Sequence, residues 1–109
     1  MTDTEFLERV NTTLAQVEQY IENLVDSLDL DADWGRAGNV LTLDFEDKGK
    51  LILNSQVAVH ELWLAAKSGG YHYACKPDGW VHTRGGEPFA AHFVAVLAQQ
   101  LGQPCPPLN

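Results

Sequence analysis

The side chains that could do chemistry crowd into one end of the chain. Residues 1 to 33 hold nine carboxylates (Asp3, Glu5, Glu8, Glu18, Glu22, Asp26, Asp29, Asp31, Asp33) against one base, Arg9, a sum of -8. Residues 34 to 109 hold six acids and six bases, so the whole formal net charge of -8 sits in the first third. Glu18, Glu22 and Asp26 recur at i, i+4, which on a helix turning about 100° per residue lines them up in one exposed stripe beside the apolar seam. Asp29, Asp31 and Asp33 follow with period two, which in an extended chain puts all three on one side and continues the ridge. Like charges at this spacing cost about 0.2–0.5 kcal/mol per pair, and Asp26 opposes the helix dipole as well. A face shaped for stability alone would carry lysines there. Two readings fit the pattern, a solvated, solubilising face or a surface for a cation or a basic protein.

As a cation site, Asp29-x-Asp31-x-Asp33 invites comparison with a calcium-binding EF-hand loop, which needs Gly at its sixth position and Glu at its twelfth. Those positions hold Trp34 and Val40, and the EF-hand is rejected. Surface carboxylates without a closed cage suit weak, largely water-mediated binding of oxygen-preferring ions such as Fe, Mn or Ca. The four histidines, His60, His72, His82 and His92, show neither HxxxH nor HExxH spacing, and a lone histidine is more often structural than a ligand. No GxSxG, phosphate-binding loop or GxGxxG is present; Gly69-Gly70 and Gly85-Gly86 read as turns. Cys75 and Cys105 lack CxxC spacing, which argues against a thiolate metal cage or a disulfide framework and for a reducing, cytoplasmic setting. The acidic balance argues against nucleic acid and against anionic membranes as partners. Neither an apolar signal region nor a run of 18 apolar residues occurs.

Elements must position these groups. The chain has 109 residues with 45% hydrophobic, enough for a single domain over residues 1–109 with one core. Phe6, Val10, Leu14, Val17, Ile21, Leu24 and Leu28 keep one helix face apolar, and Thr2 with Glu5 forms a capping-box pattern at its start. The period then changes to two. Val40–Phe45 and Lys50–Leu53 read as a hairpin with Leu41, Leu43 and Phe45 inward. Val57–Ala66, Tyr71–Lys76 and Trp80–Thr83 read as further strands joined by short turns. Pro88 at the first helical position opens a second helix with Phe89, Phe93, Val96, Leu97 and Leu101 on one side, stopped by Gly102 and Pro104, with an irregular tail from about residue 103. Connections this short exclude parallel crossovers, so the class is α+β, two terminal helices on one face of an antiparallel sheet of five or six strands. If Leu62, Leu64 and Ala66 face the core, then Glu61, Trp63 and Ala65 face outward, which makes Trp63 a candidate partner anchor.

Asn54-Ser-Gln56, His60-Glu-Leu-Trp-Leu-Ala65, Gly69-Gly70-Tyr71-His72-Tyr73, the isolated Trp80 and Gly86-Glu87-Pro88-Phe89, together with the acidic first helix, resemble the bacterial CyaY-type members of the frataxin family over nearly the whole chain. The resemblance implies the frataxin fold and a non-catalytic role as accessory and regulator in iron–sulfur cluster assembly. It implies weakly bound iron on a ridge of Glu18, Glu22, Asp26, Asp29, Asp31 and Asp33. It also implies docking to a cysteine desulfurase and its scaffold protein; the outward reading assigns that contact to Trp63, with Asn54, Gln56, His60 and His72 as further candidates and the two histidines either flanking Trp63 or bonding neighbouring backbone, on a monomer able to form iron-dependent oligomers. Two departures stand out. Gln19 and Asn23 occupy positions where family members often double the acid in each helix turn, and the proline-rich end differs. Two alternatives remain, a weak ferroxidase or iron store at the same carboxylates, and an acidic adaptor with no metal role.

Overall fold

The computed structural model describes residues 1–108. Helix α1 (Asp3–Leu28) begins where Thr2 Oγ1 accepts the Glu5 N–H at 3.1 Å while Glu5 Oε1 accepts the Thr2 N–H at 3.0 Å, so the capping box is formed. It ends at Asp29, whose left-handed backbone (φ 53°) caps it, a conformation a short polar side chain tolerates. Phe6, Val10, Leu14, Val17, Ile21 and Leu24 are all at most 1% exposed, as their spacing requires.

Six strands follow in the order β1 (Asp33–Ala37), β2 (Val40–Asp44), β3 (Lys50–Gln56), β4 (Glu61–Ala66), β5 (Gly69–Lys76) and β6 (Gly79–His82), each antiparallel to the next. Helix α2 (Phe89–Leu101) closes the chain and ends on Gly102 in the left-handed region. Leu41, Leu43, Leu51, Leu53, Leu62, Leu64 and Tyr73 from the sheet meet the apolar stripes of both helices in one core. The opposite sheet face has no helix over it, which leaves the odd-numbered residues of β4 outward.

Three local expectations shift. β1 is a strand where the sequence reading places none before Val40. Trp34 and Arg36 pair with Leu43 and Leu41, so a strand-length ladder forms across Gly35. Val57–Val59 is a turn of 3-10 helix rather than the start of a strand, and β4 begins only at Glu61. Pro88 caps α2 from outside instead of occupying its first turn.

Residues 103–108 form neither helix nor strand, and Asn109 lies outside the described residues. The tail is nonetheless fastened: the Tyr20 hydroxyl donates to the Pro106 carbonyl at 2.6 Å, and Cys105 and Leu108 pack against the core. Burial, helped by Cys105, pushes the Tyr20 phenol up to about 12. An ionised phenolate could not donate this bond. Because the folded value lies above the ordinary unfolded value of about 10, the contribution is fully present below pH ~10 and is lost as pH rises from there to about 12. An ultraviolet phenolate titration of wild type against Tyr20→Phe should reveal this late-titrating group, and the variant should lose that part of the alkaline unfolding. A Tyr20 that titrates as a free phenol would mean the tail is not seated.

Candidate functional site

Two surfaces carry the residues singled out by type and spacing. On α1 and the segment after it, Glu22, Asp26, Asp29, Asp31 and Asp33 are all exposed, while Leu30 and Ala32 between the aspartates and Trp34 after them turn inward. The period-two alternation is therefore real, although only Asp33 belongs to a strand. Glu18 differs from the rest. Arg36 Nη1 lies 3.5 Å from Glu18 Oε1, with Arg36 also donating to Asn11 Oδ1 and to the Gly38 carbonyl. This arginine ties β1 to α1 and neutralises the N-terminal end of the ridge. Gln19 and Asn23 bond each other at 3.2 Å, forming a neutral rung beside the acids. Among the described residues, no three ridge carboxylates bring ligand oxygens within 4.8 Å of one another. The arrangement can hold a cation through water, and it is not a closed cage.

The uncovered sheet face holds the second surface. Register places Trp63 between Asn54 on β3 and His72 on β5, and Glu61 between Gln56 and Ala74. The Trp63 and His72 rings stack with centroids 4.1 Å apart and planes 6° from parallel. Trp63 Nε1 donates to Glu61 Oε1 at 2.8 Å, and His72 Nδ1 stands 3.6 Å from the same oxygen. The Glu61 carboxylate thus fixes the indole, and the stacked imidazole completes a flat, half-exposed plate with amide side chains beside it. Leu62 and Leu64 are buried behind it, so the outward placing of Glu61, Trp63 and Ala65 holds.

A family model described as a frataxin-like domain matches residues 1–103. The chain belongs to the frataxin family. It is 44% identical over 105 residues to the iron–sulfur cluster assembly protein CyaY of Janthinobacterium sp., covering 95% of this chain and 94% of that one. It is 41% identical over 100 residues to the protein of the same name from Ralstonia nicotianae, covering 92% and 88%. Among solved structures, the frataxin of Psychromonas ingrahamii superposes with a TM-score of 0.73 at 34% identity, covering 96% of both chains. Trimeric frataxin from Saccharomyces cerevisiae, complexed with ferrous iron, shares the fold at a TM-score of 0.56 and 21% identity, covering 81% and 87%.

Within this frataxin fold the histidines have separate fates. His72 flanks Trp63, but His60 does not: it adopts the left-handed region (φ 50°), stacks on Phe6 with centroids 4.7 Å apart, and sets Nε2 2.8 Å from Asp3 Oδ1. Its ring fastens the start of α1 to the β3–β4 link, away from the plate. His82 and His92 meet each other beneath β5, a pairing with no trace in local spacing because ten residues and a reversal separate them.

The ridge also has an energetic signature. No basic residue sits in the last turn of α1 to offset Asp26, so exposed like charges remain to be screened. Raising chloride from low to high should lift the melting temperature by a few degrees, since about 1 kcal/mol is worth roughly 4–8 °C for a domain of this size. Glu22→Lys with Asp26→Lys should lift it at low salt and flatten the response. A flat wild-type titration would show that the repulsion is already negligible.

Proposed function

We propose that this frataxin-family chain is a cytoplasmic, non-catalytic accessory protein that regulates iron–sulfur cluster assembly. The observation that carries the reading is its 44% and 41% identity, over nearly its whole length, to proteins named for iron–sulfur cluster assembly. In this reading Glu22, Asp26, Asp29, Asp31 and Asp33, with Glu18 at the arginine-bound end, hold ferrous iron weakly through its water shell. The same ridge attracts a basic surface on a cysteine desulfurase. The Trp63–His72 plate, with Asn54 and Gln56, docks on that enzyme and its scaffold protein. His60 supports the fold behind this face rather than forming part of it. The protein acts as a monomer, with iron-driven oligomers at high loading; a frataxin of this fold is known as a trimer with ferrous iron.

Physical chemistry supports the division of labour. A site of separated, hydrated carboxylates exchanges its ion readily, which suits delivery or sensing, whereas a flat aromatic plate suits burial against a partner. Among the described residues no helix is long and apolar enough to cross a membrane. Two measurements on the full chain test the reading, desulfurase–scaffold capture and anaerobic Mn2+ or Fe2+ titration followed by amide NMR and stopped-flow oxidation. Capture of the complex, broadening centred on the ridge and no acceleration of ferrous oxidation are expected. Failure of capture would sink the docking role, and broadening centred on His72 or Cys75 would sink the ridge assignment. Multiple-turnover oxidation would select the ferroxidase alternative.

A further inference from the structure

Between β6 and α2 the chain reverses tightly: the His82 N–H donates to the Glu87 carbonyl at 2.8 Å and the Gly86 N–H to the His82 carbonyl at 2.9 Å. This reversal brings the Glu87 carboxylate back over β6, with Oε1 3.2 Å from His82 Nδ1. In the first turn of α2, His92 stacks on His82 with centroids 4.2 Å apart and planes 25° from parallel. One ligand atom from each of His82, Glu87 and His92 lies within 4.8 Å of the other two, the sole group of three such donors among the described residues. His82 is 9% exposed, whereas Glu87 is open to solvent, so the group has a rigid floor and an accessible mouth.

Packing alone does not account for two polar rings and a carboxylate at this junction, where an apolar pair would cover the same core without the risk of like charge. The surroundings favour a ligand role instead. The Tyr73 hydroxyl oxygen stands 2.6 Å from His92 Nδ1. Binding an ion at His92 Nε2 would place the ring proton on Nδ1, facing that oxygen, the outer-sphere contact that orients ligating histidines.

We propose that His82, Glu87 and His92 form a second cation site, separate from the carboxylate ridge, that takes one divalent first-row transition ion such as Zn2+, Ni2+ or Co2+, with water completing its shell. Two imidazoles and one carboxylate form a borderline donor set that binds the later first-row ions more tightly than the all-oxygen ridge does. The ridge runs along α1 to β1 at one edge of the sheet, and His82 ends β6 at the other. Five strand spacings separate the edges, about 24 Å, so the two sites share no ligand. The proposal stands independently of any role in cluster assembly.

Co2+, Ni2+ or Zn2+ alone, titrated into the full chain at neutral pH and followed by calorimetry and amide NMR, tests it. The first equivalent of Co2+ should broaden signals around His82, Glu87 and His92 before those of the ridge, with one ion bound per chain. Glu87→Gln, a change at an exposed side chain, should weaken this equivalent about 10-fold. Tyr73→Phe, which keeps the ring and removes the outer-sphere bond, should weaken it about 10- to 100-fold. Glu22→Lys with Asp26→Lys should leave it unchanged. First-equivalent broadening at Cys75, Cys105 or the ridge would overturn the site, as would wild-type affinity in both Glu87→Gln and Tyr73→Phe.

Discussion

Trp63→Ala should leave the core intact and lower affinity for the desulfurase–scaffold complex by about 30- to 1000-fold, the equivalent of about 2–4 kcal/mol. The fold survives because the indole lies on the uncovered sheet face, with the buried Leu62 and Leu64 pointing the other way. What the free protein loses is the stack on His72 and the bond to Glu61, a cross-strand pair worth about 1 kcal/mol. What the complex loses is larger, because the indole is already held rigid by that stack and carboxylate and so costs little ordering on docking. Its removal should act through faster dissociation and hardly change with salt. Charge reversal on the ridge should instead slow association and fade as salt rises. His72→Ala separates anchor from support: it spares the indole but frees it to move, so affinity should fall by less than with Trp63→Ala. Wild-type binding by a folded Trp63→Ala protein would place the partner elsewhere, and its unfolding would contradict the exposure of the plate.

The long first helix and the second apolar stripe were both legible because each rests on a local period carried by several residues. Phe6 to Leu28 repeat with steps of three and four, whereas Leu62, Trp63 and Leu64 are all apolar, so the pattern settles only that Trp63 faces opposite to the two leucines and the structure chooses the face. Where the structure departs, a distant partner outweighs local pattern. Asp33–Ala37 contains a glycine and one hydrophobic ring and reads as a break, yet it becomes a strand because β2 offers an unpaired edge and Arg36 can reach Glu18. Val57 and Val59 have strand-forming side chains but stand 41% and 57% exposed in a 3-10 turn; the chain must turn there for His60 to reach α1. The pairing of Glu18 with Arg36 and the meeting of His82 with His92 are tertiary facts with no spacing to announce them.

The helix that carries the ridge buries its largest apolar ring at Phe6, and Phe6→Ala should destabilise the protein by about 3–5 kcal/mol, a large share of the stability usual for a domain of this size. Phe6 is wholly buried, with the His60 ring stacked on one side and the edge of Trp80 5.7 Å away at 75°. Trp80 is fixed in turn by its indole N–H on Thr13 Oγ1 at 2.8 Å, about two helical turns further along α1. Removing the phenyl ring therefore leaves a cavity among aromatic groups held by separate bonds, which cannot collapse to fill it. His60→Asn, which tolerates the same left-handed backbone, should cost less, since the ring is partly exposed and its Asp3 partner, 2.8 Å away, lies in solvent. Denaturant unfolding of both variants gives the comparison, and partner capture under native conditions adds the functional half. The folded fraction of Phe6→Ala should retain wild-type affinity, because neither the plate nor the ridge side chains have changed. His60→Asn should likewise bind as wild type, since its ring serves α1 and not the outer face. A loss of affinity in His60→Asn without loss of stability would return that histidine to the partner surface and show that the complex wraps around the start of α1.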